Sequence, residues 1–203
     1  GESGQGDVYS YDASEDASVA VGASATDEQI QAVLPNGACV FSRVGGGGEA
    51  DLFYYRVGTG LVEIGSDVAA LGTRNKTYNA CGTGSQVVFT ASNGSNREVF
   101  SWNPATGQTT TIVAGSDNVY DAIGAGNEVV YHTVASGTEQ DVFFHDLDTG
   151  TAATVRNNTD ISSVRAVTSD GTTAWAILGA SGTTTSLFAV SLVGAPATQT
   201  WAA

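Results

Sequence analysis

One five-residue phrase recurs along the whole chain. Asp7-Val-Tyr-Ser-Tyr, Asp51-Leu-Phe-Tyr-Tyr, Glu98-Val-Phe-Ser-Trp, Asp141-Val-Phe-Phe-His and Ser186-Leu-Phe-Ala-Val begin 44, 47, 43 and 45 residues apart. A period in the mid-forties, built only from short alternating strands and turn residues, predicts a β-propeller with one blade per repeat. The period leaves the function open, because propellers serve as scaffolds, binding platforms and enzymes alike.

The third repeat shows the plan. Strands are predicted at 78–82, 86–92, 98–103 and 108–114, with Ser92-Asn-Gly-Ser-Asn and Pro104-Ala-Thr-Gly supplying the Gly and Asn that tight turns require. Other complete blades are expected at about 30–64, 120–155 and 163–201. The first repeat offers only 7–12 and 18–23, which match third and fourth strands, so a half blade is expected over 7–23. The predicted architecture is all-β: four complete four-stranded antiparallel blades plus an N-terminal half blade, in one domain over 1–203. The half blade would expose a strand edge, which natural proteins cover or exploit. Upstream residues, a larger parent propeller, or strands from a neighbouring subunit could each complete it.

Composition narrows the partners. The net charge is −14 and the single lysine is Lys76, which makes nucleic acid a poor partner and disfavours anionic membranes, since both need a basic surface. The charge reads as a device for solubility in salty or extracellular surroundings. No apolar run reaches the roughly 20 residues that span a bilayer. The chain contains no Met, consistent with processing or truncation, and a removed signal peptide fits a secreted location. Asn75-Lys-Thr, Asn93-Gly-Ser and Asn157-Asn-Thr match the glycosylation pattern, which arises readily by chance in a chain this rich in Thr, Ser and Asn. Cys39 and Cys81 suit either one disulfide stapling adjacent blades or two buried thiols. A bridge would contribute about 3–4 kcal/mol by the loop-entropy argument.

Asp141-Val-Phe-Phe-His-Asp-Leu-Asp-Thr-Gly and Glu98-Val-Phe-Ser-Trp-Asn-Pro-Ala-Thr-Gly resemble the TolB-type and WD-like propeller repeats of secreted bacterial proteins. Of the Asp-Gly pair that opens the family's second strand, only Ser169-Asp-Gly-Thr-Thr-Ala-Trp keeps a copy, so the repeats are divergent. The resemblance covers nearly the whole chain. It implies a secreted or periplasmic module whose usual work is protein or ligand binding. Propeller-bearing peptidases need a separate hydrolase domain with a Gly-x-Ser-x-Gly elbow, and the sequence has none. The box at Ser169 also lacks the spacing of the sialidase motif.

Candidate sites follow from repeat symmetry. Thr26-Asp27, Ser66-Asp67, Ser116-Asp117 and Thr159-Asp160 each precede an inner strand. Asp27, Asp67, Asp117 and Asp160 could ring the central channel and bind Ca²⁺ or a polar ligand; otherwise each caps a turn by accepting backbone N–H bonds. The acids that open the third strands, Asp7, Asp51, Glu98 and Asp141, are expected to brace loops. His132 and His145 would face each other if their hairpin centred on 137–140, giving a possible metal pair, although His145 also occupies a packed repeat position. The glycine run 45–48 lacks the following helix that phosphate binding needs, so it reads as a flexible turn. No nucleophile with a base and no carboxylate pair stands out. The sequence therefore favours a secreted, non-catalytic binding or assembly module without a resident cofactor, acting on a protein partner or on itself. The alternatives are a carbohydrate-active or small-ligand propeller enzyme and a structural subunit of an extracellular polymer.

Overall fold

The phrase at the start of each third strand sets the architecture, because its alternating apolar side chains give a strand two faces to bury. The computed structural model describes residues 6–12, 16–22, 26–45, 48–81, 86–92, 96–114, 118–125, 128–134, 140–150, 152–159, 161–169, 173–180, 185–191 and 198–202. Among them, β1 (Tyr9–Asp12) and β2 (Ala17–Ala20) form a two-stranded first sheet, followed by four antiparallel four-stranded sheets. The second sheet holds β3 (Glu28–Val33), β4 (Cys39–Val44), β5 (Ala50–Arg56) and β6 (Gly60–Glu63). The third holds β7 (Asn75–Cys81), β8 (Val87–Ser92), β9 (Arg97–Asn103) and β10 (Gln108–Val113). In the fourth are β11 (Asn118–Ala125), β12 (Glu128–Val134), β13 (Gln140–Asp146) and β14 (Ala152–Thr159). The fifth comprises β15 (Ile161–Ser169), β16 (Thr173–Ala180), β17 (Thr185–Ser191) and β18 (Thr198–Ala202).

Within each sheet the strands lie in chain order, and β11 packs against both β7 and β15. First strands therefore meet first strands, as they do in blades set around an axis. Each first strand also pairs with its neighbour through a register shift, between Ile30 and Ala32, Tyr78 and Ala80, Tyr120 and Ile123, and Val164 and Ala166. Such bulges increase the local twist.

The sheets are held face to face. Val40, Leu52 and Tyr54 of the second sheet meet Val87, Phe89, Phe100 and Trp102 of the third, with the Tyr54 and Trp102 rings 5.2 Å apart and tilted at 57°. On the opposite faces, Phe41 and Phe53 of the second sheet cover Val8 and Val21 of the first. Likewise Tyr131 and Phe143 of the fourth cover Val88 and Val99 of the third. A cross-strand aromatic pair recurs at the same repeat position: Phe41 with Phe53, Phe89 with Phe100, and Tyr131 with Phe143, all stacked 5.3–5.5 Å apart. Burial drives the packing, at roughly 1.5–3 kcal/mol for each large apolar side chain.

The turn after each third strand explains the recurring Thr-Gly. Gly60, Gly107 and Gly150 occupy one repeat position, and all have positive φ. In two copies the polar residue four positions earlier anchors the turn: Asn103 Oδ1 accepts the Ala105 N–H, and Asp146 Oδ1 accepts those of Asp148 and Thr149. The first repeat places Asp16 there, the positive-φ non-glycine residue among the described residues. Asp tolerates that conformation better than most residues.

A buried ion pair joins the second and third sheets. Lys76, on β7, is buried, and its Nζ lies 3.0 Å from Asp51 Oδ1 on β5 and 2.9 Å from Glu63 Oε1 on β6. Lys76→Met removes the cation from two carboxylates that remain partly exposed to water, so it should cost about 1–2 kcal/mol in chemical denaturation; a loss below about 0.5 kcal/mol would show that the tie is dispensable. A second comparison separates turn strain from crowding. Gly107→Ala meets nothing within 4 Å and should cost about 1 kcal/mol from its positive φ alone. Gly65→Ala should cost clearly more, because its Cβ would meet Leu71 at 3.1 Å and Phe89 at 3.3 Å as well.

Candidate functional site

The strand register decides which candidate residues meet. In the fourth sheet His132 pairs with Val142, and His145 with Val129. That register offsets the two histidines by an odd number of positions, so they are not cross-strand partners. The expected imidazole pair is therefore not formed: the hairpin closes from Val134 to Gln140, an odd step away from the register that would make the histidines partners. Among the described residues no group of three His, Cys, Asp or Glu side chains is placed to hold a metal.

Asp27 and Asp67 are not brought together either. Asp27 lies one residue before β3, and its Oδ1 accepts the Gly6 N–H at 3.0 Å. Asp67 lies eight residues before β7 and reaches the last strand of the third sheet, accepting the Thr109 N–H at 2.7 Å and the Thr109 hydroxyl. Their unequal places come from the link between the second and third sheets, which contains a 3-10 turn at Ala69–Leu71. Both carboxylates act as backbone tethers between neighbouring sheets. Asp117 and Asp160 lie outside the described residues. Two of the strand-opening acids form ion pairs, Asp51 with Lys76 and Glu98 with Arg74.

Cys39 is a free, half-buried thiol, and burial pushes its pKa up. It packs with Phe41, Phe53 and Tyr55 on the face turned toward the first sheet, whereas Val40 faces the third sheet, where β7 carries Cys81. The side chain of Cys81 lies outside the described residues. The expected bridge thus fails on strand alternation, and it supplies no argument for an oxidising compartment.

His145 has a different surrounding. It is 8% exposed, and its Nδ1 is buried without a hydrogen-bond partner. It lines a cleft of about 250 Å³ together with Gln86, Ser101, Asn103, Gln108, Thr110 and residues of the two adjoining turns. The cleft lies between the third and fourth sheets, since Ser101 shares a face of β9 with Val99, and His145 shares a face of β13 with Phe143. Burial lowers the imidazole pKa, and the nearby Asp146 carboxylate opposes that shift. Tyr131, on the neighbouring strand, is pushed up to about 12 by burial. Aligned repeats held a signal for this site. The positions of Tyr54 and Trp102 at one sheet interface are those of Ser101 and His145 at the next.

Solved structures give the fold a name. TolB from Acinetobacter baumannii matches with a TM-score of 0.54 at 14% identity, over 96% of this chain and 48% of that one. The fold is that of a TolB-like β-propeller. A putative TolB from Agrobacterium tumefaciens matches at 0.57 and 10% identity over 97% and 73% of the two chains. Oligopeptidase B from Trypanosoma brucei, solved with covalently bound antipain, matches at 0.59 and 10% identity, over 91% of this chain and 28% of that one. The chain thus spans about half the length of the Acinetobacter protein and under a third of the peptidase. At such identities the likeness concerns the fold alone. No family model and no curated protein matches the sequence. Among the described residues, no helix is long and apolar enough to cross a membrane.

The buried imidazole makes stability depend on pH with a definite sign. Its folded pKa lies below the unfolded value of about 6.5, so the unfolded chain binds the proton first. The stability contribution is complete above that pH and is lost as pH falls from there through the lower folded pKa. Wild type should therefore lose more melting temperature than His145→Gln on going from about pH 7.5 to about pH 5. Parallel melting curves for the two proteins would refute the coupling.

Proposed function

We propose that this chain is a secreted or periplasmic propeller module that works by binding protein, without catalysis of its own, and that it associates through its first sheet. One observation carries the reading. Tyr9 and Tyr11 are 58% and 60% exposed, while the matching residues of the third sheet, Phe100 and Trp102, are 4% and 2% exposed because the preceding sheet covers them. The outer face of β1 and β2 thus has the aromatic spacing with which later sheets receive a neighbour. A sheet of the same repeat fits that face, and the association proposed here takes it from a second copy of this chain. The location outside the cytoplasm rests on the acidic composition and on the likeness of the repeat phrase to secreted propellers.

Contact between the first sheet of one copy and a later sheet of another joins unlike surfaces. Such contacts do not close by twofold symmetry, so they build rings or open chains. That geometry also accommodates the reading as a subunit of an extracellular polymer. The small-ligand alternative draws on the His145 cleft.

Sedimentation velocity over a wide concentration range tests the association. Wild type should form species that grow with concentration, and Tyr9→Ser with Tyr11→Ser should weaken them at least tenfold, about 1.4 kcal/mol per contact. A wild type that stays monomeric throughout, its first sheet covered within its own ring, would overturn the proposal.

A further inference from the structure

Two sheet interfaces set a residue from the fourth position of one phrase near a residue from the fifth position of the next. Between the second and third sheets these are Tyr54 and Trp102, whose rings fill the space. Between the third and fourth they are Ser101 and His145, and a cleft of about 250 Å³ stands beside them. Exchanging two large rings for a hydroxymethyl group and an imidazole removes the side-chain volume that would close it. Apolar packing continues below, through Val88, Val99, Val129 and Tyr131, so the sheets stay together while the cleft stays open.

We propose that this cleft binds an uncharged, hydroxyl-rich ligand, a monosaccharide unit in size and chemistry. The walls supply amides and hydroxyls: Gln86, Ser101, Asn103, Thr106, Gln108 and Thr110 line it, and among the described residues no ionised side chain does. These groups donate and accept alike, which suits adjacent hydroxyls and offers nothing specific to an ion. Asn103 and Thr106 each lend an oxygen to a turn N–H, at 2.9 and 3.3 Å, and the turn thereby fixes them while their hydrogens remain to donate. Leu147 adds an apolar patch for the C–H face of a sugar ring. The volume lies just below the range of about 300–1,000 Å³ typical of drug-sized ligands.

The buried Nδ1 of His145 is the second, independent sign. A buried nitrogen without a partner costs on the order of its full desolvation, and burial keeps the ring neutral, so it has one donor and one acceptor to satisfy. A turn of the ring about Cβ–Cγ would bring that nitrogen to the cleft that His145 lines, where a ligand hydroxyl would supply the missing partner. The site is separate from the first-sheet surface, and its fate does not depend on self-association.

The test uses the full chain with methyl α-glucoside, methyl β-galactoside and N-acetylglucosamine as probes, and acetate as an anionic control. At least one sugar should bind at about 1 mM or tighter in calorimetry, and it should shift the imidazole ¹⁵N signals of His145. Ser101→Tyr with His145→Trp, which rebuilds the aromatic pair of the preceding interface, should weaken binding at least tenfold without lowering the melting temperature. Should that double variant misfold, Ser101→Ala removes one hydroxyl and should weaken binding severalfold. The proposal is overturned if none of the three sugars binds, if a sugar binds without moving the His145 signals, or if acetate binds more tightly than every sugar.

Discussion

A four-stranded sheet with apolar side chains on both faces cannot be stable alone, and this chain contains several in succession. The second and third each bury one face on the sheet before and the other on the sheet after. Val40, Leu52 and Tyr54 look forward, while Phe41, Phe53 and Tyr55 look back. Strand alternation alone imposes this division, because successive residues point to opposite faces. With no helical layer among the described residues to cover a sheet, the neighbouring sheet must do it. Every site in the molecule is a consequence of how well that mutual covering succeeds.

Charge is arranged to serve the same packing. The chain has seven basic residues against twenty-one acidic ones, and several of the seven are engaged within the fold. Lys76 is buried between two carboxylates, Arg74 pairs with Glu98, and Arg43 pairs with Glu28 while lying 4.4 Å over the Phe53 ring. Basic side chains therefore brace sheets from within, and the surface is more one-sided in charge than the composition suggests. Such a surface repels polyanions and keeps the chain soluble. It also means that any attraction between two copies must come from apolar faces, since like-charged surfaces gain nothing from approach.

The repeat phrase made the sheets legible because it marks both strand alternation and the turn that follows, where Gly60, Gly107 and Gly150 sit at positive φ. Contacts between repeats were much less legible. The histidine pair depended on a hairpin register, and a one-residue change in that register moves a residue to the other face. Asp27 and Asp67 share a phrase but not a place, since their links to the next first strand differ in length. Cys39 and Cys81 sat in adjacent repeats, yet alternation turned Cys39 away. The ion pairs of Lys76 went unseen because they span two sheets, although the lone lysine of an acidic chain, set in a first strand, was a usable clue.

Regularity in a repeat protein is the reference against which its special places stand out. Where Tyr54 meets Trp102, an aromatic pair completes the interface and leaves no room for chemistry. Where the same columns hold Ser101 and His145, packing stops short and a polar cleft with an unsatisfied imidazole remains. Tyr9 and Tyr11 of the first sheet are likewise exposed aromatics. The two places differ in kind. An aromatic face left open favours a large apolar partner, whereas a recess lined with amides and hydroxyls favours a small ligand able to exchange hydrogen bonds. Both arise from one structural rule, and each departs from it in a way that stability alone does not require, since the Tyr54 and Trp102 columns show that the same fold can close such an interface.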